Sequence, residues 1–363
     1  MFTPKKCKSA VTIFVLTASL IITGYSQTRK SIKHNSNKIT IIHQKTHKRV
    51  YCNSSPRLLY KLAFDSTTID SIVYRPTFCK FDQAGNIYVM DYSTFYIHKF
   101  SPVKNSNRYT HTYFGRGKGK GPGEFVNPTD FKIHNDKIYI ADPSNGCIEV
   151  YSTEGKFVKW IILSDHRVPQ RLAIVNDRLI VEPEAHTQGD LFYLYDYSGN
   201  LVSSFGSYID KTNINNGVYH DNDILELSEN SFCYLPFYLG FMGLYQNDNL
   251  MFVKETIDGV RRPETIHKEM IKGLFINTIN KDYHTATASA CDGEYLMLEA
   301  KDMKHHQSFY DVYDVNDLHY IKSVRNIPST IHAFDLKGEL LAGIDDLHLY
   351  VWNIKNLLRE IEK

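Results

Sequence analysis

The chain lacks the residue patterns by which disulfide-stabilised folds, zinc sites and common hydrolases are recognised. Only six cysteines occur in 363 residues, and one of them, Cys7, lies in a leader-like segment. The other five are odd in number and widely spaced, which fits neither a disulfide framework nor a zinc motif. We interpret Cys79, Cys147 and Cys233 as small apolar fillers of strands. No G-x-S-x-G, H-E-x-x-H or paired C-x-x-C motif occurs, so no catalytic residue is predicted.

Acidic residues are missing from the N-terminal region. No Asp or Glu precedes Asp65, whereas residues 1–64 carry 12 Lys and Arg. Residues 65–363 carry 30 Lys and Arg against 40 Asp and Glu, so the body of the protein is acidic. An acidic body is a poor binder of polyanions, which argues against nucleic acid as a partner.

Long apolar runs are also missing, apart from one near the N-terminus. The run at residues 10–22 follows three lysines and precedes small residues, a pattern typical of a secretory signal peptide. It predicts a signal peptide over residues 1–26, with cleavage before Gln27. Tyr25 stands where a lipidated cysteine would be needed, so no lipid anchor is expected. The sequence thus predicts an exported protein, periplasmic or extracellular, with no membrane span and a basic flexible tether over residues 27–56.

What the sequence does contain is a repeat. Six times an apolar run, a polar turn and a second apolar run follow one another, in units that begin at Phe81, Ile133, Ile174, Leu227, Ala290 and Phe334. Asn, Asp and Gly in the turns tolerate left-handed backbone, and the flanking residues favour strands. Further strands follow most units, at steps of roughly 40 to 60 residues, as in a propeller.

The repeat predicts an all-β fold, a six-bladed β-propeller over residues 57–357, followed by a C-terminal tail at 358–363. The last unit supplies only three strands, so the strand at residues 58–64 is expected to complete its blade and close the ring. Between the fourth and fifth blades, Ile266, Met270 and Leu274 recur at four-residue spacing, which predicts a helical insertion over residues 263–274. We expect a monomer.

The second unit carries a more specific pattern. Gly115-Arg116-Gly117-Lys118-Gly119-Lys120-Gly121-Pro122-Gly123-Glu124-Phe125 leads to Pro128, to Ile138-Tyr139-Ile140-Ala141-Asp142 and to Ile148-Glu149-Val150-Tyr151. This pattern resembles the NHL repeat over residues 115–163, and partly over 76–100, where Asp91 matches Asp142. In the third unit Glu182 replaces the Asp. With the leader, the chain resembles TolB-like six-bladed propellers secreted by Bacteroidetes, many of which have no assigned activity.

Three motifs that suggest chemistry are interpreted as structural. The glycine-rich segment 115–125 lacks the Lys-Ser/Thr of a Walker motif and is predicted to be a crossover between blades. Asp91 and Asp142 are predicted to close turns by accepting backbone N–H bonds. The pairs His43/His47 and His305/His306 have no carboxylate nearby in the sequence, so no zinc site is predicted there.

A propeller places function at the mouths of its central channel. Aligning the six units puts one polar residue just before each inner strand, namely Arg75, Asn127, Arg167, His220, His284 and Thr330. This ring is the predicted ligand-binding site for a protein, peptide or glycan. The alternative is a metal-dependent lactonase- or lyase-like enzyme, with a divalent metal in the channel as the one conceivable cofactor. Because the ring holds no Asp or Glu and two arginines would repel a cation, the sequence favours binding without catalysis.

Overall fold

The computed structural model describes residues 40–67, 71–184, 189–207, 222–261, 265–271, 274–279 and 283–361. For residues 265–271 and 274–279 it describes the backbone alone. The predicted signal peptide and residues 27–39 of the predicted tether lie outside this range, as does His220. No helix in the described part of the chain has the length and apolar character needed to cross a membrane.

Two N-terminal strands precede the blades, β1 (Ile41–Ile42) and β2 (Arg57–Ala63). Blade 1 contains β3 (Pro76–Phe81), β4 (Ile87–Asp91), β5 (Tyr96–Pro102) and β6 (Tyr109–Phe114). Blade 2 contains β7 (Asp130–His134), β8 (Lys137–Asp142), β9 (Cys147–Ser152) and β10 (Phe157–Ile161). Blade 3 contains β11 (Pro169–Val175), β12 (Arg178–Pro183), β13 (Phe192–Tyr195) and β14 (Leu201–Phe205).

The second half of the chain continues the series. Blade 4 contains β15 (Asn222–Ser228), β16 (Ser231–Pro236), β17 (Phe241–Gln246) and β18 (Asn249–Glu255). A separate hairpin follows, β19 (Thr265–Ile271) and β20 (Leu274–Ile279). Blade 5 contains β21 (Tyr283–Cys291), β22 (Tyr295–Asp302), β23 (Gln307–Asp314) and β24 (Tyr320–Val324). Blade 6 contains β25 (Ala333–Lys337), β26 (Leu340–Ile344) and β27 (His348–Asn353), and helix α1 (Lys355–Ile361) ends the described chain.

The ring closes as predicted. Strand β2 pairs antiparallel with β27 and completes blade 6, so the N-terminal strand lies at the outer edge of the last blade. The innermost strands β3, β7, β11, β15, β21 and β25 contact one another in cyclic order, and β25 contacts β3. The six-bladed β-propeller is therefore confirmed.

The hairpin between the first two strands of each blade follows from the turn residues. In blade 2, Asn135 and Asp136 have φ of 47° and 56°, and in blade 3 Asn176 and Asp177 have φ of 50° and 53°. Two successive left-handed residues form the type I′ turn, whose twist matches that of paired strands, and Asn and Asp tolerate it best after Gly.

The core consists of six apolar clusters, one between each pair of adjacent blades. Between blades 1 and 2, for example, Tyr88, Phe125, Phe131 and Tyr151 are fully buried together. Because each sheet packs on both faces, the second strand of a blade reads as a continuous apolar run, as Ile138 to Ala141 does. The buried free thiols of Cys79, Cys147 and Cys233 lie in strands, as predicted.

The predicted helical insertion is wrong, because residues 265–271 and 274–279 pair as the antiparallel strands β19 and β20. Six of the 13 residues in these two strands are β-branched. Such side chains lose rotamer freedom in a helix and favour strands. The four-residue spacing of Ile266, Met270 and Leu274 was a weaker signal than this composition.

Residues 40–56 are not a tether. We call them the N-terminal strap, because they cross the outer edges of blades 4 and 5 before β2 begins. Strand β1 pairs in parallel with β18, and Tyr51 forms a parallel bridge with Ser323 of β24. The side-chain amide of Gln44 donates to the carbonyl oxygens of Glu255 and Leu318. This corrects the expectation of a flexible segment for the described part of the range 27–56.

The predicted C-terminal tail at 358–363 is also corrected over its described part. Residues 358–361 belong to α1, which buries Leu357 and Ile361 in the cluster between blades 5 and 6. The Glu360 carboxylate accepts the backbone N–H bonds of Asn53 at 2.7 Å and Ser54 at 2.9 Å. The helix therefore fixes the end of the strap to the ring.

Candidate binding site in the central channel

Two of the six predicted site residues meet at one tyrosine. The Arg75 guanidinium lies 5.0 Å from the centre of the Tyr92 ring, and the Tyr92 hydroxyl donates to the side-chain oxygen of Asn127. Arg75 precedes β3 of blade 1, and Asn127 lies in the crossover that leads to β7 of blade 2. The structure thus brings these two residues together across a boundary between blades.

The other three described residues each have a local partner. The Arg167 guanidinium stacks on Tyr193 at 3.6 Å and pairs with Asp165. The Thr330 hydroxyl donates to Asp345 at 3.3 Å. His284 packs against Tyr238 and lies within β21 rather than before it. None of the five lines the cavities described below, so ligand binding by these residues stays a prediction.

The residues that line the channel lie two to four positions after the predicted ring residues in the sequence. A cavity of about 190 Å³ has polar lining residues from every blade, among them Thr77, Thr129, Arg171, Asn222, Thr287 and His332. Charged residues, including Asp130, Lys132 and Asp223, line it as well. The predicted ring preceded the six polar residues named first by two positions in blades 1, 2, 4 and 6, by three in blade 5 and by four in blade 3. Because side chains alternate along a strand, every second residue of an inner strand faces the channel. The alignment of the six repeat units did not use this alternation, which could have identified the channel-facing residues.

The ring around this cavity also joins blades. The Thr129 hydroxyl donates to the Gln170 carbonyl at 2.9 Å, and Arg171 donates to the carbonyls of Thr129 at 2.6 Å and Asn222 at 3.0 Å. His332 contacts the Pro76 carbonyl at 2.9 Å. These bonds link blades 2, 3 and 4 and blades 6 and 1 at the mouth where the inner strands begin.

A layer of buried charges crosses the middle of the channel. The Lys132 ammonium lies 3.4 Å from Asp130 and 3.6 Å from Asp223, and Lys80 lies 3.5 Å from Asp335. Burial alone would raise the pKa of Asp223, but Lys132 and Lys80 lower it below its usual value. Burial raises the pKa of Asp335, and Lys80 opposes the rise only in part. The two lysines therefore compensate the charge of the carboxylates in this layer.

A second cavity, of about 380 Å³, lies on the other side of this layer, where the inner strands end. Lys80 and Lys132 line both cavities. The strand-end cavity adds Asp82, Asp136 and Asp292 from the hairpin turns. The channel thus consists of two polar cavities separated by the charged layer.

The carboxylates of the channel wall hold neighbouring blades together. Asp130 of blade 2 accepts the Leu172 N–H at 2.7 Å, and Glu226 of blade 4 accepts the Ile174 N–H at 2.6 Å. Each bond satisfies a backbone donor of an inner strand, which has no further strand beside it on the channel side. Asp335 of blade 6 does the same for Phe81 of blade 1 at 2.8 Å. These carboxylates are therefore structural members of the ring.

The two aspartates singled out by the sequence have the predicted role. Asp91 accepts the N–H bonds of Tyr74 at 3.2 Å and Arg75 at 2.9 Å. Asp142 accepts those of Val126 at 2.7 Å and Asn127 at 3.0 Å. Both carboxylates are fully buried and hold the segment that leads into the inner strand of their blade.

The glycine-rich segment is the crossover from β6 to β7, as predicted. The backbone folds back on itself, with the N–H of Phe125 bonded to the Gly117 carbonyl at 3.0 Å. Gly117 and Gly123 have φ of 82° and 80°, a conformation that favours glycine. The Phe125 ring is fully buried between blades 1 and 2.

Members of both histidine pairs contact carboxylates. His43 and His47 contact the buried Glu255 carboxylate at 3.0 and 3.3 Å, a partner that is remote in sequence and was not foreseen. His305 contacts Asp302 at 2.7 Å. In the described part of the chain, only Asp314, Asp317 and His319 bring three metal-type ligands together, on the exposed turn before β24.

Comparison with known proteins supports the fold. No protein-family model and no curated protein matches the sequence. A Bacteroides fragilis protein described as exported is 11% identical, with 86% of this chain and 99% of that chain aligned at a TM-score of 0.56. The RRP9 WD40 repeats are 11% identical over 83% of this chain and 99% of that chain, at a TM-score of 0.50.

A further match, virginiamycin B lyase from Staphylococcus aureus, is 10% identical over 81% of this chain and 98% of that one. Its TM-score of 0.48 is too low to support an argument about activity. These likenesses concern the fold alone. In its fold this chain is similar to solved β-propellers, and its own strands form six blades.

Proposed function

We propose that this chain is a non-catalytic binding propeller, which holds a protein, peptide or glycan ligand at the channel mouth where the inner strands begin. The observation that carries the proposal is the use of the channel carboxylates. Asp130, Glu226 and Asp335 accept backbone N–H bonds of neighbouring blades. The mouth presents hydroxyl, amide, imidazole and guanidinium groups, and the two carboxylates that also line it, Asp130 and Asp223, are paired with Lys132. Such a wall offers hydrogen bonds to a polar ligand rather than an acid–base pair or a set of carboxylates for a metal.

The rim residues support an anionic or hydroxyl-rich ligand. Arg75 and Arg167 each lay their guanidinium plane on a tyrosine ring, which restrains the side chain in one orientation. A restrained guanidinium binds carboxylates or sulfates at a smaller entropic cost than a freely rotating one. We also propose that the protein is exported and is cleaved before Gln27. We further propose that it belongs to the NHL-like, TolB-like propellers, and segment 115–125 and Asp142 support this proposal. Mass spectrometry of the mature N-terminus tests the cleavage.

A double variant tests the rim. Labelled protein is screened on glycan and peptide arrays, and the affinity for an anionic hit is then measured. Arg75→Ala with Arg167→Ala should weaken binding at least tenfold, because charge-assisted bonds contribute roughly 1.5–3 kcal/mol each. The free energy of unfolding should change by less than about 1 kcal/mol. Arg108→Ala with Arg178→Ala is the matched control, since both residues are exposed.

Two results would count against this site. An equal loss of affinity in the Arg108 and Arg178 control would mean that binding reflects overall charge. A double rim variant that unfolds, while its folded fraction binds normally, would make Arg75 and Arg167 structural residues.

A further inference from the structure

A groove on the rim of blade 5 has features of a separate binding site. Its volume is about 430 Å³, within the range of roughly 300–1,000 Å³ that small-molecule sites occupy. It lies between the β22–β23 turn, the segment that follows β24, and Tyr51 of the N-terminal strap. Tyr283 at the start of β21 pairs with Asp302 at the end of β22, so this groove opens on the face where the inner strands begin.

The groove is positively charged, although residues 65–363 as a whole carry more acidic than basic residues. None of its lining residues is Asp or Glu, and the exposed Arg325 contributes a full positive charge. Arg325 forms no ion pair with any residue in the described part of the chain. The nearest carboxylate along β23, that of Asp311, is already bound by Arg49 with contacts of 2.8 to 3.2 Å. An anion can therefore approach Arg325 without repulsion from an unpaired carboxylate.

The guanidinium is held in place by a rigid platform. Arg325 stacks on the Tyr51 ring at 4.0 Å. Tyr51 cannot shift easily, because Val50 and Cys52 on either side of it form backbone hydrogen bonds of 2.8 and 2.9 Å with Ser323. Stacking leaves the N–H edge of the guanidinium available for two parallel bonds to a carboxylate.

The rest of the groove suits a sugar ring. Gln307, Ser308, Asn326 and Ser329 are neutral side chains that can both donate and accept hydrogen bonds, as sugar hydroxyls require. Phe309 and Tyr51 also line the groove, with Arg49 over the Phe309 ring at 4.2 Å and Arg325 over the Tyr51 ring. The remaining apolar surface of these rings can contact the C–H groups of a pyranose. We propose that this groove binds a hexuronic acid, with its carboxylate on Arg325 and its hydroxyls on the amide and hydroxyl side chains. The groove lies outside the central channel, so this proposal does not depend on the proposed function.

The test is to titrate the full mature protein with D-glucuronate, D-glucose or acetate in separate experiments and to measure binding by NMR or calorimetry. Wild-type protein should bind glucuronate with a dissociation constant on the order of 1 mM, and more tightly than either glucose or acetate. Arg325→Gln should weaken glucuronate binding roughly tenfold or more, because it removes the bidentate charge-assisted pair. Arg108→Gln, which removes another exposed arginine, should leave glucuronate binding unchanged.

Each outcome decides the proposal. Absence of glucuronate binding to the wild type, or equal binding to Arg325→Gln, would overturn it. Equal affinity for acetate and glucuronate would also overturn it, since the groove would then recognise charge and not a sugar. Tighter binding of oligogalacturonate than of glucuronate would support it and indicate a polysaccharide source. The rim variant Arg75→Ala with Arg167→Ala should bind glucuronate normally, which separates this groove from the channel mouth.

Discussion

Glu182 shows how one buried carboxyl group can impose a pH dependence on the whole ring. Glu182 lies on β12 of blade 3, at the position that Asp142 occupies in the repeat of blade 2. Its side chain is one methylene longer than that of Asp, and its carboxyl group reaches blade 4. There its Oε1 accepts the Asn222 amide at 2.8 Å, whereas its Oε2 has no hydrogen-bond partner among the described residues. Burial raises the pKa of Glu182 to about 8, and Arg171 and Asn222 oppose the rise only in part.

The raised pKa predicts that stability falls as pH rises. Below pH 4.5, the ordinary value for this group, both the folded and the unfolded chain are protonated at Glu182. Between pH 4.5 and about 8 the unfolded chain loses this proton and the folded chain keeps it, so the free energy of unfolding decreases with pH. Glu182→Gln should reduce the decrease between pH 5 and pH 8 by about 1 kcal/mol or more. Urea denaturation at both pH values measures it.

A second buried glutamate also contributes to the pH dependence of stability. Burial also raises the pKa of Glu149 to about 8, so some pH dependence should remain in the Glu182→Gln variant. Identical pH dependence in wild type and variant would show that Glu182 ionises normally in the folded protein.

At the scale of elements, the N-terminal strap is anchored by one arginine, whose side chain is 15% exposed. Arg49 contacts Asp258 of the loop after β18 at 2.8 Å and Asp311 of β23 at 2.8 Å. Burial raises the pKa of Asp311, and Arg49 compensates for much of that effect. Removal of the guanidinium leaves two carboxylates with little exposure and no cation beside them.

We therefore predict that Arg49→Ala is strongly destabilising. Breaking a buried ion pair by removing one partner usually costs about 3–5 kcal/mol. Lys48→Ala changes an exposed neighbour in the same strap and should alter the free energy of unfolding by less than about 0.5 kcal/mol. Chemical denaturation of both variants measures this. A loss below about 1 kcal/mol for Arg49→Ala would show that the strap is peripheral to stability.

The closing strand gives a second prediction at this scale. Deletion of residues 57–64 should leave β27 with an unpaired edge, which invites association between molecules. Light scattering of the truncated protein should show aggregation at concentrations where the full chain stays monomeric. A soluble truncation as stable as the full chain would mean that β2 does not close the ring.

The elements show what could be predicted from the sequence. The hairpins, the closing strand and the crossover at 115–125 were predictable, because turn residues and alternating apolar runs are local signals. The strap was not, since the buried Gln44 and the half-buried Arg49 are isolated in a polar segment, and their partners are more than 200 residues away. The predicted ring missed the channel-lining residues because the weaker repeats define the alignment of the blades only to within a few residues. A shift of one residue along a strand moves a side chain to the opposite face.

For the whole molecule, the ring depends on two kinds of contact between blades. Six apolar clusters pack between adjacent blades. Carboxylates at the channel fix the inner strands to one another through backbone N–H groups. A propeller that contains a catalytic metal in its channel would need several such oxygen ligands free to converge on the ion. Because Asp130, Glu226 and Asp335 already accept backbone N–H bonds, we propose that the channel binds a ligand and does not hold a metal.

Metal analysis of the purified mature protein tests this assignment most directly. Inductively coupled plasma mass spectrometry after dialysis, with and without added Ca²⁺ or Zn²⁺, should find well below one equivalent of bound divalent metal, on the order of 0.1 or less. The melting temperature should not change when a chelator is added. One tightly bound equivalent, lost together with stability on substitution of Asp130, Asp223 or Asp335, would contradict the account and favour a metal-dependent lactonase- or lyase-like enzyme.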